Sequence, residues 1–476
     1  MQIVSFVFGI FLAIVYFLLY TVDRFCKDGD KAVNASKWIL LIASYVFVSY
    51  LDYRFALVLL VLTFSTWFFS MRGKYRSCGI IVAVLVLGFF KYTNFFVGSF
   101  QRIIGNDYTA LNIILPLGIS FYSFSAIGYL VDLGRNKMEP RNLKDVALYL
   151  AFFPKITSGP IQRSGEFFGQ MDQRRRIGWD TFSIGIQVFM FGLFKKIVLA
   201  DHLSVFVNQV YDVPEVFGSL TVFMAAIAYS LQIYFDFSGY SDLAVGVSKI
   251  IGVDLPVNFN LPYLSHNVTE FWKRWHITLS SWLQEYLYIP LGGSWKGKGR
   301  TYANLVMTMV LGGLWHGANG TYIVWGLFHG VALVIHKVFM KITKSAERPH
   351  QVFANLVSVL CTFLFTTFCW VFFRADSIVH ALEILKQMFC FRSGLEQPYM
   401  WLFVAVTVLV IGSLAAAIKS KRCGRCSRKQ NVCNIHGFYP ILDLTKFWHL
   451  VLFFVFSGLI LCLAYTGGSP FIYGNY

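Results

Sequence analysis

Long apolar runs separated by short polar stretches recur along the whole chain, which is the pattern of helices that cross a membrane. The predicted helices are Ile3–Val22, Trp38–Leu51, Phe55–Ser70, Gly79–Phe100, Leu111–Val131, Phe182–Leu199, Leu220–Phe237, Tyr302–Leu314, Tyr322–Phe339, Phe353–Phe373, Trp401–Ile418 and Phe447–Tyr465. Several are shorter than the roughly 20 residues that a straight crossing needs. Short segments are tolerated where they line a cavity enclosed by protein. We therefore predict an all-α polytopic membrane protein with transmembrane and re-entrant helices.

The composition excludes an ordinary soluble protein, because 57% of the 476 residues are hydrophobic and only 14% are charged. It favours one membrane domain over residues 1–476, with the last helices in residues 353–476. The formal net charge of +17 would suit a nucleic-acid-binding protein, but the basic residues lie in short loops between the apolar runs. That distribution marks cytoplasmic loops. The lipid bilayer is therefore the predicted partner, and nucleic acid is not.

Clusters of Lys and Arg predict the orientation of the chain. They are Arg24 with Lys27 and Lys31, Arg72 with Lys74 and Arg76, Arg174 to Arg176, Lys296 with Lys298 and Arg300, Lys341 with Lys344 and Arg348, and Lys419 to Lys429. Two crossings separate most neighbouring clusters, so each cluster returns to the same side. We predict that both termini lie outside. The first run lacks a basic start and a small-residue cleavage site, so it is predicted to be a spanning helix and not a cleaved signal.

Nine cysteines lie mostly in apolar segments or basic loops, and their spacing predicts no essential disulfide. Four potential metal ligands lie in the basic loop 419–446: Cys423, Cys426, Cys433 and His436. Their C-x2-C-x6-C-x2-H spacing matches no standard zinc site. Structural cysteines are therefore favoured over a zinc site in this loop.

The centre of the chain departs from simple spanning helices. Phe152–Arg163 reads FFPKITSGPIQR, and the short apolar runs of Leu255–Pro290 are interrupted by prolines, asparagines and charged residues. Proline breaks a helix by removing a donor and clashing with the preceding turn. Phe152–Arg163 is therefore predicted to interrupt a helix, and the short runs of Leu255–Pro290 predict re-entrant or interfacial helices packed inside the bundle.

Two histidines stand out among apolar neighbours. His316 lies in GGLWHGANGTYIVWGLFHG and His276 in FWKRWHITLSSWLQEYLYIPLGG, each directly after a tryptophan. Ionisable residues at membrane depth are functional candidates, and burial disfavours the charged imidazolium. A neutral imidazole can accept a proton from an alcohol. The alternative is a core histidine bonded to a carbonyl or hydroxyl, which stays open for His316 and is favoured, on spacing alone, for His276.

The segment YFDFSGYSD offers a second set of polar candidates, including Asp236 and Asp242. A separation of six residues does not place two carboxylates on one helical face, and Gly239 predicts a bend between them. Partners for Lys273 and Arg274, or helix caps, are therefore favoured over a catalytic acid/base pair.

Other polar residues near the two histidines are given structural roles. Ser280 and Ser281 are predicted to form hydrogen bonds, because no strand-turn-helix elbow surrounds them. His329 and His336 are seven residues apart, whereas metal binding on a helix favours a separation of four. We predict helix packing for His336 and leave His329 open.

At these residues the sequence resembles the membrane-bound O-acyltransferase family, in its bacterial branch with the alginate O-acetylation membrane protein and the D-alanyl transferase of teichoic acids. The matching segments are Phe152–Arg163, Gln232–Ala244, Asn258–Gly293 and Gly312–Gly330. They recur in the family's order, and the resemblance covers residues 115–339. The terminal Ser469–Tyr476 resembles the family's aromatic ending only as far as Tyr473.

The resemblance implies both a fold and site residues. The fold would be a ring of about 11–13 tilted helices around a central tunnel. The catalytic histidine of the family's W-H-G motif corresponds to His316, and its second histidine to His276. Further candidates for contact with substrate or the tunnel are Trp315, Asn319, Trp275, Lys273, Arg274, Asp236 and Tyr240.

The implied activity is transfer of an acyl group, most simply acetyl, from a cytoplasmic thioester to a hydroxyl of a cell-envelope or exported polysaccharide. Acetyl-CoA or an acyl-carrier protein would be the donor, with no bound cofactor, and an extracytoplasmic acyltransferase would be a partner at the bacterial cell membrane. His316 would take the hydroxyl proton, while His276 would orient the acceptor or stabilise the oxyanion.

Two alternatives are retained. The acyl group could be D-alanine and the acceptor a teichoic acid. The protein could instead transport a polymer or lipid-linked substrate, with the histidines as a proton relay. Transport is disfavoured because the two halves show no inverted hydropathy pattern.

Overall fold

A computed structural model describes residues 3–105, 111, 113–174, 177–343, 352–422, 441–467 and 472. This part of the chain is helical and contains no β-strand beyond one isolated bridge between Phe217 and Leu395. Eight of its helices are long and apolar enough to cross a membrane. The predicted all-α polytopic class is therefore confirmed.

The helices as far as residue 250 are α1 (Phe6–Phe25), α2 (Gly29–Ser49), α3 (Tyr53–Ser70), α4 (Arg76–Ile103), α5 (Ile119–Gly134), α6 (Leu143–Ala151), α7 (Ser164–Met171), α8 (Trp179–Leu193), α9 (Asp201–Asp212) and α10 (Ser219–Ile250). Those that follow are α11 (Val268–Arg274), α12 (Ile277–Leu283), α13 (Lys298–His316), α14 (Gly320–Ile342), α15 (Val352–Arg374), α16 (Ile378–Phe389), α17 (Met400–Arg422) and α18 (Phe447–Leu463). Short 3-10 turns occupy Gly73–Tyr75, Pro214–Val216 and Pro262–Leu264, and π-helical segments occupy Phe194–Ala200 and Gln284–Tyr288.

Several predicted segments differ from the observed helices. The run Leu111–Val131 becomes helical only at Ile119, because Pro116 precedes a turn in which Gly118 has a φ of 72°. A Cβ at Gly118 would lie 2.0 Å from the carbonyl oxygen of Ile156, so only glycine fits this turn. The bend predicted at Gly239 is wrong as well, since α10 continues through it to Ile250.

The chain divides into two compact units, which are described separately. The first comprises residues 1–192 with 240–256, and the second comprises residues 193–239 with 257–475. The prediction of one domain over residues 1–476, with a core motif region at 115–339, stays a prediction.

The first unit contains an ion cluster in which Lys37 and Asp145 are buried and Asp172 is exposed. The Lys37 ammonium lies 3.0 Å from an Asp145 carboxylate oxygen and 2.8 Å from one of Asp172. Arg141 lies 2.7 Å from the other Asp172 oxygen. The two carboxylates compensate the charge of the Lys37 ammonium. This pairing explains how a lysine is accommodated in the apolar helix α2.

Candidate active site

His316 is the last residue of α13 and is 4% exposed. Three aromatic rings surround it, with centroid distances of 4.8 Å to Trp315, 5.3 Å to Trp325 and 5.1 Å to Phe373. The helix ends because Gly317 adopts an extended conformation. The end of α13 therefore holds an imidazole in a buried and largely aromatic environment.

His276 lies in the break between α11 and α12 and is 1% exposed. Its φ of 42° places it in the left-handed region, which non-glycine residues seldom adopt and which is common at functional sites. Its ring lies 4.6 Å from Phe237 and 6.5 Å from Trp315. Because Trp315 contacts both imidazoles, the structure brings the two predicted histidines together at one indole.

The residues before the break hold the backbone of His276 in place. The Asn260 amide donates to the carbonyl of Arg274 at 3.0 Å, and the Ile277 amide donates to the carbonyl of Asn258 at 2.9 Å. The Asn258 side-chain oxygen also accepts from the Thr278 hydroxyl at 2.6 Å. The NFN sequence thus satisfies backbone groups that the helix break would leave unpaired.

Close contacts between α13 and α14 position the two sides of the aromatic cluster. A Cβ added at Gly313 would lie 2.2 Å from the Tyr322 carbonyl oxygen, and one at Gly326 would lie 2.4 Å from that of Met309. Small residues let helix backbones approach closely where lipid provides no hydrophobic driving force between helices. The glycines of the GGLWHG and WGLFHG motifs therefore bring Trp325 to His316.

His329 belongs to the same cluster, although its role could not be assigned from the sequence. It is completely buried in α14, and its Nδ1 accepts a hydrogen bond from the Trp272 indole at 3.3 Å. Its ring lies 5.0 Å from that of Trp325. The signal in the sequence is its separation of four residues from Trp325, which places both on one face of α14.

Comparison with known proteins decides the family. The model of the membrane-bound O-acyltransferase family matches residues 38–375. The chain belongs to the membrane-bound O-acyltransferase family. It is thus an O-acyltransferase with eight helices of spanning length and composition in its described part.

Three relatives illustrate the range of similarity. The chain is 35% identical to the probable alginate O-acetylase AlgI of Pseudomonas putida over 91% of this chain and 93% of the relative. It is 38% identical to the peptidoglycan O-acetyltransferase of Helicobacter pylori, where the match covers 65% of this chain but only 63% of the relative. It is 29% identical to the teichoic acid D-alanyltransferase of Bacillus subtilis, over 56% of this chain and 71% of the relative.

In this O-acyltransferase the buried Trp275 joins the same aromatic region. Its ring lies 4.9 Å from Trp370 and 5.6 Å from Phe271, with which it is nearly parallel. Trp370 in turn stacks on Trp325 at 5.7 Å. Trp275 therefore packs behind Trp370 and Trp325, and Trp325 is the ring that contacts the His316 imidazole.

Of three further polar candidates, two are placed by local contacts. Lys273 is exposed, and Arg274 forms an ion pair of 2.6 Å with Glu270 one helical turn earlier. The Asn319 side chain caps the start of α14 and donates to the Asp376 carbonyl at 2.7 Å. These contacts give Arg274 and Asn319 structural partners, and none of them involves an imidazole.

Asp236 pairs with Lys196, which is remote from it in the sequence. Its Oδ1 lies 2.7 Å from the Lys196 ammonium, which lies equally close to an Asp201 oxygen. The backbone amide of Ile472 donates to its Oδ2 at 2.8 Å. The expected pairing of Asp236 with Lys273 or Arg274 is wrong, because the π-helical segment after α8 supplies the compensating charge.

The remaining candidates lie elsewhere. Tyr240 belongs to the first unit, where its hydroxyl lies 2.8 Å from that of Thr157. His336 contacts the Thr269 hydroxyl through Nδ1 at 2.8 Å, as helix packing requires. The four zinc candidates of the basic loop, Cys423 to His436, lie outside the described residues. Within the described residues no group of three or more His, Cys, Asp or Glu could hold a metal ion.

Proposed function

We propose that the protein transfers an acetyl group from a cytoplasmic thioester, acetyl-CoA or an acyl-carrier protein, to a hydroxyl at the outer side, with a cell-envelope or exported polysaccharide as the ultimate acceptor. The observation that carries the proposal is the buried imidazole of His316 at the end of α13, which shares Trp315 with His276. The names of two relatives, an alginate O-acetylase and a peptidoglycan O-acetyltransferase, support acetyl as the group and a polysaccharide as the acceptor.

The residues fit a one-step transfer. His316 takes the proton of the acceptor hydroxyl as its oxygen bonds to the thioester carbonyl carbon. The carbon–sulfur bond then breaks, and the proton passes to the departing thiolate. Neither ring nitrogen of His276 has a hydrogen-bond partner among the described residues, which leaves both available to orient the acceptor hydroxyl.

The basic loops support an orientation for this transfer. Cytoplasmic loops are rich in Lys and Arg, and such loops also attract the phosphates of a nucleotide thioester. We propose that both termini face outward at the bacterial cell membrane. An extracytoplasmic acyltransferase would then pass the acyl group to the polymer.

The test compares wild-type cells with cells expressing His316→Ala at a matched membrane level. Mild alkali releases ester-linked groups from extracellular polymers, and the groups are then identified. Loss of acetate from the His316→Ala cells is expected. His336→Ala is the matched control, because His336 lies on α14 and packs against Thr269. Full acetylation by His316→Ala would contradict the proposal.

D-alanyl transfer is the second candidate, because the Bacillus subtilis relative is named a teichoic acid D-alanyltransferase. The same alkaline release distinguishes it. Loss of D-alanine in place of acetate would assign the protein to that chemistry. If no ester depends on His316, substrate exchange in proteoliposomes would test the transport alternative.

A further inference from the structure

One face of α14 carries two buried aromatic groups beside His316. Trp325 is 1% exposed and His329 is 0% exposed. Their rings are 5.0 Å apart, and Trp325 meets the His316 ring edge to face at 5.3 Å. Trp325 therefore packs directly on the proposed catalytic base, and His329 packs on Trp325.

The contact with Trp272 fixes the tautomer of His329. An indole nitrogen carries a hydrogen and can only donate. Since the Trp272 Nε1 donates to Nδ1 of His329 at 3.3 Å, Nδ1 must be unprotonated. The neutral ring then carries its hydrogen on Nε2. His329 is thereby held as a hydrogen-bond donor.

Two donors at this place have no acceptor. The Nε2 of His329 and the Nε1 of Trp325 are both buried without a hydrogen-bond partner among the described residues. Buried N–H groups without partners are rare in native proteins. Two of them, on neighbouring rings of which Trp325 packs on His316, indicate that an acceptor atom of a ligand belongs there.

We propose that the N–H groups of Trp325 and His329 together bind the carbonyl oxygen of the acyl donor. The inference rests on the proposed acyl transfer. A carbonyl oxygen fits two neutral donors in aromatic surroundings, since it is neutral in the bound thioester and becomes negative only as the hydroxyl adds. Donors aimed at such an oxyanion are a major source of catalysis in acyl transfer.

The step balances with this assignment. The acceptor oxygen bonds to the carbonyl carbon while His316 takes its proton. The carbonyl π electrons move to the oxygen, which the two N–H groups stabilise. The carbon–oxygen double bond then re-forms, the thiolate leaves, and the thiolate receives the proton. Trp272 acts on His329 alone and is a positioning residue.

The experiment measures transfer of labelled acetyl from acetyl-CoA to polymer in membrane vesicles of the host. Trp325→Phe and His329→Phe keep a ring and remove the donor. Each is expected to lower kcat by about 10²–10³-fold and to change KM by less than about threefold. His329→Gln restores a donor, so its kcat should be at least about tenfold higher than that of His329→Phe. Trp272→Phe should give an intermediate loss.

Matched controls separate this role from packing. His336→Phe changes the same residue type on the same helix, and Trp448→Phe changes a tryptophan that is 73% exposed. Both should retain wild-type kinetics. Thermal unfolding in detergent checks that each variant is folded. If a phenylalanine variant does not fold, Trp272→Phe decides, because the inference expects an intermediate loss of kcat there, and wild-type kcat in folded Trp272→Phe would refute it.

Specific outcomes overturn the inference. Wild-type kcat in folded Trp325→Phe and His329→Phe would refute it, provided that His316→Ala is inactive, and the proposed function would then still hold. A rise in KM alone would also refute it, because the donors would then bind only the ground state. If wild-type vesicles transfer no acyl group, the proposed function itself fails.

Discussion

The close contact of α13 with α14 can be tested with one methyl group. Gly313 lies on the helix that ends at His316, and the neighbouring backbone belongs to the helix that carries Trp325. The substitution Gly313→Ala adds a Cβ directed at the carbonyl of Tyr322. It perturbs the geometry of the cluster without changing any of its side chains.

The structure gives the size of the effect. The new Cβ would lie 2.2 Å from the Tyr322 oxygen, whereas ordinary contacts begin at 3.4 Å. The obstacle is backbone, so no side-chain rotation relieves it and the two helices must separate by about 1 Å. Overpacking of this kind costs about 1–3 kcal/mol. A displacement of about 1 Å between reacting groups can lower the rate by about 10²-fold.

Gly299→Ala is the matched control, because Gly299 lies on the same helix with nothing within 4 Å of an added Cβ. Gly299 lies in the first turn of α13, and alanine is the better helix former, so this variant should be at least as stable as the wild type. Thermal unfolding in detergent and acetyl transfer in vesicles are measured for both. Wild-type stability and rate in Gly313→Ala would show that the contact does not position the cluster.

Two further predictions concern charged clusters. Lys196→Met leaves the carboxylates of Asp201 and Asp236 buried without their shared cation, so we expect a loss of about 3–5 kcal/mol of stability; unchanged thermal unfolding would contradict this. Burial alone would raise the pKa of Asp172, but the Lys37 ammonium lowers it below its ordinary value. Since the folded pKa is the lower one, the stabilisation is present above the unfolded pKa and is lost as pH falls through the folded one. Asp172→Asn should therefore unfold at a lower temperature than the wild type at neutral pH, and its unfolding temperature should fall less as the pH is lowered. An unfolding temperature that falls with pH as steeply as in the wild type would exclude this role.

Helix positions followed closely from the sequence where local composition decides them. The run Phe353–Phe373 corresponds to α15, Val352–Arg374. Apolar length alone could not locate the start of α5, since Ile113 to Gly118 is apolar yet not helical. It could not show that Gly239 lies inside a continuous helix either, because the packing of neighbours decides whether a helical glycine bends.

The candidate site was predictable in its centre but not in its partners. His316 and His276 stand out because burying a polar side chain among apolar neighbours costs free energy unless the side chain has a partner. The Lys196 partner of Asp236 lies forty residues away within a π-helical segment, and no local pattern indicates it. The role of His329 depends on Trp272, which is remote in sequence and adjacent only in the fold.

The site lies where helices stop, and the membrane explains why. His316 ends α13, and His276 precedes α12 in a left-handed conformation. Each break leaves backbone groups that lipid cannot satisfy, so a break is tolerated only where protein encloses it. Enclosure requires the close approach that Gly313 and Gly326 permit. The helix breaks that make these segments poor membrane spans therefore also create the buried polar site. A substitution that restores a continuous helix at either break should remove activity even if it stabilises the helix.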